Sequence, residues 1–292
     1  MTRMLVVGGT GETGSWFARY FKAKGFDIAI WGPSGKVAIA KKLGVCYALD
    51  IISEVKESDI VLLSVPINKT SEVAKQIAPH MKPGSLIMDV TSLKTNPLRA
   101  MKMYAPKGVE VLGTHPLFGP TMPDMRGQTI ILTPAGRKTK KWFPIIRSLF
   151  ESDGARIEVL SAEQHDEIMA VVQALTHFAY IGIGATLRSL EFDVEQSRKF
   201  MSPVYEIMID FVGRILDQNL DLYASIQENP KAMRVRQTFI LECMRLCEMA
   251  DAGDHEGLRR TMEVAASHYG KTHEALLRSD RLISSRIRDK RG

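Results

Sequence analysis

Six short apolar runs, "MLVVGG", "DIAIW", "DIVLLSV", "SLIMDV", "VEVLG" and "TIILT", punctuate the first 160 residues of this 292-residue chain. Most are continuous and β-branched rather than alternating, which is how strands read when both of their faces are covered. Amphipathic stretches such as "TGSWFARYFKAKG" and "KTSEVAKQIAPHM" lie between several of them. Strand–helix alternation of this kind predicts a parallel sheet with helices on both faces. From Ser161 the strands stop. "SAEQ" has capping-box spacing, Ser161 to Gln164, and opens a long helix. A second helix is expected at "SPVYE", with Ser202 as N-cap and Pro203 at the first helical position. A third runs from about Pro230 to Gly253 and a fourth follows "GDHEG". The expected organisation is an α/β domain over residues 1–160 and an all-helical domain over 161–292.

The glycine run "VVGGTGETG" places Gly9, Gly11 and Gly14 in G-x-G-x-x-G spacing, directly after the first strand and entering a helix. The first glycine makes a tight turn, the second lets backbone approach a pyrophosphate, and the third lets helix pack on strand. The helix N-terminus adds N–H donors and the positive end of its dipole. The first domain therefore reads as a Rossmann-type NAD(P)-binding domain. Its candidate cofactor residues are Gly9, Gly11, Glu12, Thr13 and Gly14, with Ser34 after the second strand and Ser64 and Pro66 at the end of "DIVLLSV". NAD sites usually end the second strand with an acid that bonds the ribose hydroxyls. Here "AIWGPSGK" puts Gly32 at that place, and Ser34 and Lys36 follow as groups able to meet a 2′-phosphate. The residues lean to NADP over NAD, although Ser34 and Lys36 also read as plain loop residues.

The net charge of +6, with its excess partly in "RLISSRIRDKRG", suits anionic small molecules. It is too diffuse to argue for nucleic acid, and neither aromatic–basic interleaving nor zinc spacing strengthens that idea. Cys46, Cys243 and Cys247 are an odd number with no secretory leader before them, which predicts free thiols in a reducing, cytoplasmic compartment. Cys243 and Cys247, four apart on a helix, could share a metal, but without nearby partner ligands buried packing is expected. "AVVQALTHFAYIGIGATL" (170–187) barely reaches membrane-spanning length and contains Gln173 and His177. A helix buried in a core or a dimer interface is expected there instead of a membrane segment.

"GTHPLFGP" (113–120) packs one histidine among glycines and prolines at a strand end. Pro116 restricts His115 to extended geometry, and the glycines allow backbone shapes that side chains forbid. So firm a hold suits either a turn histidine that caps a backbone group or a histidine aimed at one reacting atom.

"DVTSLKTNPLRAM", "VLGTHPLFGP", "EQHDEIMAVVQALTHFAY" and "SPVYEIMIDFVGRILDQNLDLYASI" together resemble the prephenate dehydrogenase family, in order along nearly the whole chain. They are most similar to the dehydrogenase half of bacterial bifunctional chorismate mutase–prephenate dehydrogenases. The resemblance implies oxidative decarboxylation of prephenate by NAD(P)+ to 4-hydroxyphenylpyruvate, in tyrosine biosynthesis. It also implies a homodimer formed through the helical domain. It makes His115, in H-P-x-x-G, the contact to the substrate's ring hydroxyl, and puts Ser92, in D-x-x-S-[VL]-K, near the same hydroxyl. Arg214, in G-R-[IL], would bind the ring carboxylate. His177, in Q-A-L-x-H, would line the site, and Lys94 would lie close by. A neutral imidazole can accept the hydroxyl's hydrogen bond near neutral pH, which favours the second reading of His115.

The chain also departs from the family. Eight residues before Arg214, where similar members carry a basic residue, it has Glu206. One cationic group fewer keeps arogenate, with an ammonium where prephenate has a ketone, open as substrate. Asp210, four residues before Arg214, is open as a purely structural partner for it, and Gln173 as a hydrogen-bond partner for His177. His165, beside Asp166, reads as a helix-end residue; His80, His255, His268 and His273 read as surface. Two other classes keep the same architecture: a β-hydroxyacid dehydrogenase and a non-catalytic NADP sensor. The first uses a lysine on the helix after the boundary, and residues 164–187 contain none. The second lacks the four motifs. The Tyr-x-x-x-Lys of short-chain reductases occurs only as Tyr20 and Lys24, inside the first helix.

Overall fold

The computed structural model describes residues 1–136 and 141–289. Eight strands form one sheet: β1 (Arg3–Val7), β2 (Asp27–Trp31), β3 (Cys46–Tyr47), β4 (Ile60–Leu63), β5 (Leu86–Asp89), β6 (Glu110–Pro116), β7 (Thr129–Pro134) and β8 (Arg156–Val159). Their spatial order is β3-β2-β1-β4-β5-β6-β7-β8. The six apolar runs of the sequence are β1, β2, β4, β5, β6 and β7. The two-residue β3 and the exposed β8 carry too little apolar signal to stand out.

The strands β1 to β6 are all parallel, and β1, β4 and β5 are buried almost without a break. Alternate residues feed two separate cores: Met4, Val6 and Leu62 pack on one face with Phe17 and Phe21, and Leu5, Val7 and Val61 on the other with Ile77 and Met101. The helix Glu12–Ala23 turns Gly14, Phe17, Ala18 and Phe21 to the sheet, the three-to-four spacing of an amphipathic helix.

In one respect the sheet departs from the expectation. β7 runs antiparallel to β6, with His115 opposite Ile131. The twelve residues between them contain no helix. A parallel return needs a crossover, usually helical, so this connection brings β7 back antiparallel. β8 is again parallel to β7, after the helix Trp142–Ser152.

By contact the chain divides into two compact units: Met1–Val172 with Ala224–Pro230, and Gln173–Tyr223 with Lys231–Gly292. The expected boundary near 160 lies at the end of β8, twelve residues before the first segment of that unit ends at Val172. The capping box at Ser161 and Gln164 is present and opens Ala162–Met169. A π-helical stretch, Ala170–Leu175, carries the run on into Thr176–Ser189. Ser202 caps Pro203–Asp217, with Pro203 at its start. Ala232–Asp251, His255–Tyr269 and Thr272–Asp289 follow.

Within the second unit, Gly184 lets Thr176–Ser189 approach Val212 and Leu216 of Pro203–Asp217; a Cβ there would stand 3.2 Å from both side chains. One burial expectation is corrected. Cys243 and Cys247, expected to be buried, are exposed on Ala232–Asp251, and Cys46, in β3, is exposed as well. The run Ala162–Ser189 is long and apolar enough by composition to cross a membrane, and only 17% of its most apolar window is buried in the chain; of the two places expected for it, this speaks against a core and leaves the dimer interface. Leu241, Met244, Met262, Val264 and Leu276 are likewise exposed.

Candidate active site

Parallel sheets bind ligands outside the carboxyl ends of their strands, where the strand order reverses. Here that point lies between β1 and β4. The glycine loop leaves β1 with Gly8 in the left-handed region, φ 84°. A Cβ on Gly9 would come 2.6 Å from Ile30 Cβ, and one on Gly14 would run into the Gly8 carbonyl. At Gly11 the nearest atom would be Gly8 O at 3.4 Å, the loosest of the three. Gly11 is exposed and stands as N-cap of Glu12–Ala23 with no side-chain cap. Open space beside uncapped helix N–H groups is what a pyrophosphate requires, so these residues fit a dinucleotide. Gly11→Ala should therefore leave the melting temperature unchanged and weaken dinucleotide binding by about tenfold or more, equivalent to ~1.4 kcal/mol. Calorimetric titration beside a thermal melt checks both.

Glu12 and Thr13 begin the same helix, and Ser64 and Pro66 follow β4. Ser34 and Lys36 are exposed beyond β2. A side chain at Gly32 would collide with Thr10 Oγ1, so an acid at this position would require Thr10 to shift.

Around His115 the packing is tight. The histidine is 3% exposed and is the penultimate residue of β6, so it lies inside the ladder, not on a free turn. Gly113 has no unusual φ. It is glycine because a Cβ there would stand 2.9 Å from Lys94 Cδ and 3.0 Å from Leu98 Cδ1. The Lys94 stem passes over that gap, and its ammonium, fully buried, pairs with the Asp89 carboxylate at the end of β5. Thr91 donates to the same carboxylate oxygen through its backbone N–H, 3.0 Å, and its hydroxyl. Ser92, buried between Thr91 and Lys94, lies in the same turn. The loop beyond Pro116 is held near the start of the glycine helix. Trp16 donates Nε1–H to the Met122 carbonyl at 2.8 Å, and its ring meets Phe118 at 5.3 Å.

His115 caps no backbone group. Its Nδ1 lies 2.8 Å from His165 Nε2, and His165 Nδ1 lies 2.8 Å from Asp166 Oδ1. Asp166 accepts the Lys94 and Thr95 backbone N–H groups at 2.9 and 3.0 Å, and Asn229 donates to its carbonyl at 2.8 Å. His165 does lie in the first turn of Ala162–Met169, but it is fully buried and its ring joins His115 to Asp166. Burial, reinforced by His165 and Lys94, pushes the His115 pKa well below the ordinary histidine value. Burial and Lys94 push His165 down as well, against its bond to Asp166. Against the upward pull of burial, hydrogen bonds from His165, Thr95 and Lys94 hold the Asp166 carboxyl below its usual range.

These shifts give stability a direction in pH. Both histidines bind protons more weakly folded than unfolded, so the unfolded chain takes up protons first as pH falls below about 6.5. Stability is full above that value and is lost on the acid side, by up to about 1.4 kcal/mol per pH unit for each histidine. Asp166 adds a further loss below about pH 4. Thermal melts from about pH 7.5 to 5 should show a falling melting temperature, and His115→Asn should flatten the slope. An unchanged slope in that variant would remove His115 as a source.

In the second unit, His177 stacks edge-on against Tyr223 at 4.6 Å, and burial lowers its pKa. Its Nδ1 and Gln173 Oε1 are each buried without a partner, so the two residues are not bonded to each other. The Arg214 charge acts on the same Tyr223, pulling down a hydroxyl that burial raises. Arg214, Arg188 and Arg198 line one hollow of about 530 Å³. Asp210 is engaged by Arg286 and, at 3.9 Å, by Arg198, so it is not the partner of Arg214. Arg286 also reaches Glu206 at 3.5 Å. Tyr20 and Lys24 both spend their polar atoms on Asp153, at 2.6 and 2.5 Å. The other four histidines, His80, His255, His268 and His273, are exposed.

Comparison with known proteins places this geometry. Residues 17–159 match the family model of the prephenate dehydrogenase nucleotide-binding domain, and residues 161–264 that of the prephenate dehydrogenase dimerization domain. A probable arogenate/prephenate dehydrogenase of Methanocaldococcus jannaschii is 44% identical over 270 residues, which are 91% of this chain and 60% of that protein. This chain thus spans under two thirds of that relative's length. The T-protein of Haemophilus influenzae is 27% identical over 98% of this chain and 72% of its own. Among solved structures, prephenate dehydrogenase from Aquifex aeolicus with hydroxyphenyl propionate and NAD+ has a TM-score of 0.73 at 24% identity. The match covers 92% of this chain and 97% of that one, and shows a common fold. With both domain models matched in order, and a close-packed histidine and a glycine cradle at one end of the same sheet, the chain belongs to the prephenate dehydrogenase family.

Proposed function

We propose that the chain oxidises prephenate with loss of carbon dioxide to 4-hydroxyphenylpyruvate, in the formation of tyrosine. The observation that carries this reading is His115, a buried imidazole kept neutral at the carboxyl end of β6. When bound, the nicotinamide supplies the hydride acceptor. The chain's own part concerns the proton. As the ring carbon loses hydride, its hydroxyl gives its proton to His115 and becomes a carbonyl. Departure of carbon dioxide leaves its electron pair in the ring, which becomes aromatic, and the oxygen takes the proton back. The proton is borrowed, so the group holding it must be neutral beforehand and release it easily, which suits an imidazole of lowered pKa. The Lys94 ammonium contributes by its field on His115, not by reaching outward. Ser92, beside Lys94, is read as a second partner of the hydroxyl. Arg214 is read as the group that holds the ring carboxylate and His177 as a residue lining the substrate's site.

Arogenate is the second reading. Glu206 favours it: with Glu206 in place of a basic residue, the chain has one cation fewer for a dianion, although Arg286 approaches it. Relatives carry names for several such substrates, including a Streptomyces pristinaespiralis protein called 4-amino-4-deoxyprephenate dehydrogenase, 28% identical. The matched dimerization domain and the exposed apolar side chains of the helical unit support a homodimer.

Steady-state assay with prephenate and arogenate, each with NAD and NADP, tests the reading; turnover of neither acid overturns it. Because Gly32 leaves no carboxylate at the end of β2, kcat/KM with NADP should at least equal that with NAD. A hundredfold preference for NAD would show that another feature governs the ribose pocket.

A further inference from the structure

His115 can accept a proton only on a nitrogen that does not already carry one, and its two nitrogens are not equivalent here. Its Nδ1 is committed to His165 Nε2 at 2.8 Å, with the rings 5.0 Å apart and tilted by 60°. The proton on that bond is assigned by following the chain inward. Asp166 already accepts two backbone N–H groups and, as a carboxylate, offers only lone pairs. The bond from His165 Nδ1 to Asp166 Oδ1 therefore carries the histidine's proton. A neutral His165 protonated on Nδ1 has a bare Nε2, which must accept. His115 must then donate through Nδ1, and its lone pair is on Nε2.

We infer that His165 and Asp166 are positioning residues that hold His115 in the Nδ1–H tautomer and so leave Nε2 as its proton acceptor. This deepens the functional reading above and rests on it where turnover is concerned. The alternative is a doubly protonated His165 that donates to His115 Nδ1 and puts the proton on Nε2, which would make His115 useless as a base. The charged groups facing the two rings are Asp166, Asp89 and the Lys94 ammonium paired with it. Burial and that ammonium both disfavour a charged His165. The arrangement also suits a borrowed proton. When the O–H bond breaks and Nε2–H forms, the electron pair of the O–H bond stays on oxygen. The new positive charge then sits next to a neutral imidazole backed by a carboxylate. The proton returns from Nε2 to that oxygen as carbon dioxide leaves, with none lost to solvent.

The test has two arms. In the unmutated chain, ¹⁵N-labelled histidine NMR near pH 7.5 should show His115 protonated on Nδ1 and bare on Nε2. A proton on His115 Nε2 overturns the inference. In variants, His165→Leu keeps the volume and removes the acceptor; kcat should fall about 10- to 100-fold, the usual cost of losing a group that orients a functional side chain, with dinucleotide affinity unchanged. His165→Gln restores an acceptor and should recover turnover to within about fivefold. A folded His165→Leu protein with the original kcat and pH profile also overturns it. The NMR arm uses no substrate. If it gives the expected tautomer while neither prephenate nor arogenate is turned over, the tautomer assignment stands and the functional reading is what fails.

Discussion

Asparagine at position 115 should give a folded protein whose turnover of prephenate is lower by about 10²–10⁴, the usual worth of a positioned acid–base group. The substitution is chosen for what it keeps. An asparagine amide can place its N–H near the position of His115 Nδ1 and still donate to His165 Nε2, so the inner chain of hydrogen bonds stays satisfied. It has nothing at the position of Nε2. Dinucleotide affinity should not change, because the glycine loop and Gly11 are untouched. The loss should appear in kcat and kcat/KM together, since the proton moves only in the transition state. Stopped-flow single turnovers beside steady-state assays would separate chemistry from product release. Near-original kcat in a folded His115→Asn protein would remove this histidine from the mechanism and, with it, the observation that carries the functional reading.

Glutamine at position 214 should act on binding instead. A guanidinium paired with a carboxylate makes charge-assisted, bidentate hydrogen bonds worth about 1.5–3 kcal/mol. Arg214→Gln should then raise KM for the dienoate roughly 10- to 150-fold, with kcat little changed because the contact exists before and during hydride transfer. Lysine should rescue poorly, since a point charge cannot reproduce the planar fork. The competing explanation, a structural pair between Arg214 and Asp210, predicts a lower melting temperature with KM intact. The structure weakens that alternative: Asp210 is taken by Arg286 and approached by Arg198, and Arg214 is exposed. Measuring KM and melting temperature on one variant decides between them.

The limits of sequence reading show in particular residues. The strand "DIAIW" was legible to the residue, as Asp27–Trp31, because four consecutive apolar residues, Ile28 to Trp31, between turns leave few alternatives. The capping box at Ser161 and the N-cap at Ser202 were equally legible, since each rests on bonds between residues three apart. His115 was picked out by the glycines and prolines around it. The reason for Gly113 was not, because the atom it makes room for belongs to Lys94, nineteen residues earlier in the chain. At His165 the sequence shows the helix start but not the ring's partner, for the same reason: His115 is fifty residues away. A signal was present. His165 and Asp166 fall in phase with the buried Met169 and Ala170, and two polar residues on an apolar stripe need partners. The two exposed cysteines differ in the opposite direction, because helical spacing by itself does not say which face of Ala232–Asp251 the fold leaves exposed.

By itself, then, the sequence determined what local rules encode: strand–helix alternation, the glycine cradle, the helix starts and the two-domain order. Each rests on period, turn chemistry or capping between near neighbours. Only the tertiary structure decided that β7 returns antiparallel, that Lys94 is spent on Asp89, that Arg286 takes Asp210, and that His115 is backed by His165 and Asp166. Buried charges and imidazoles acquire their protonation and direction from whatever the fold brings within about 3 Å, and sequence separation has no bearing on that distance.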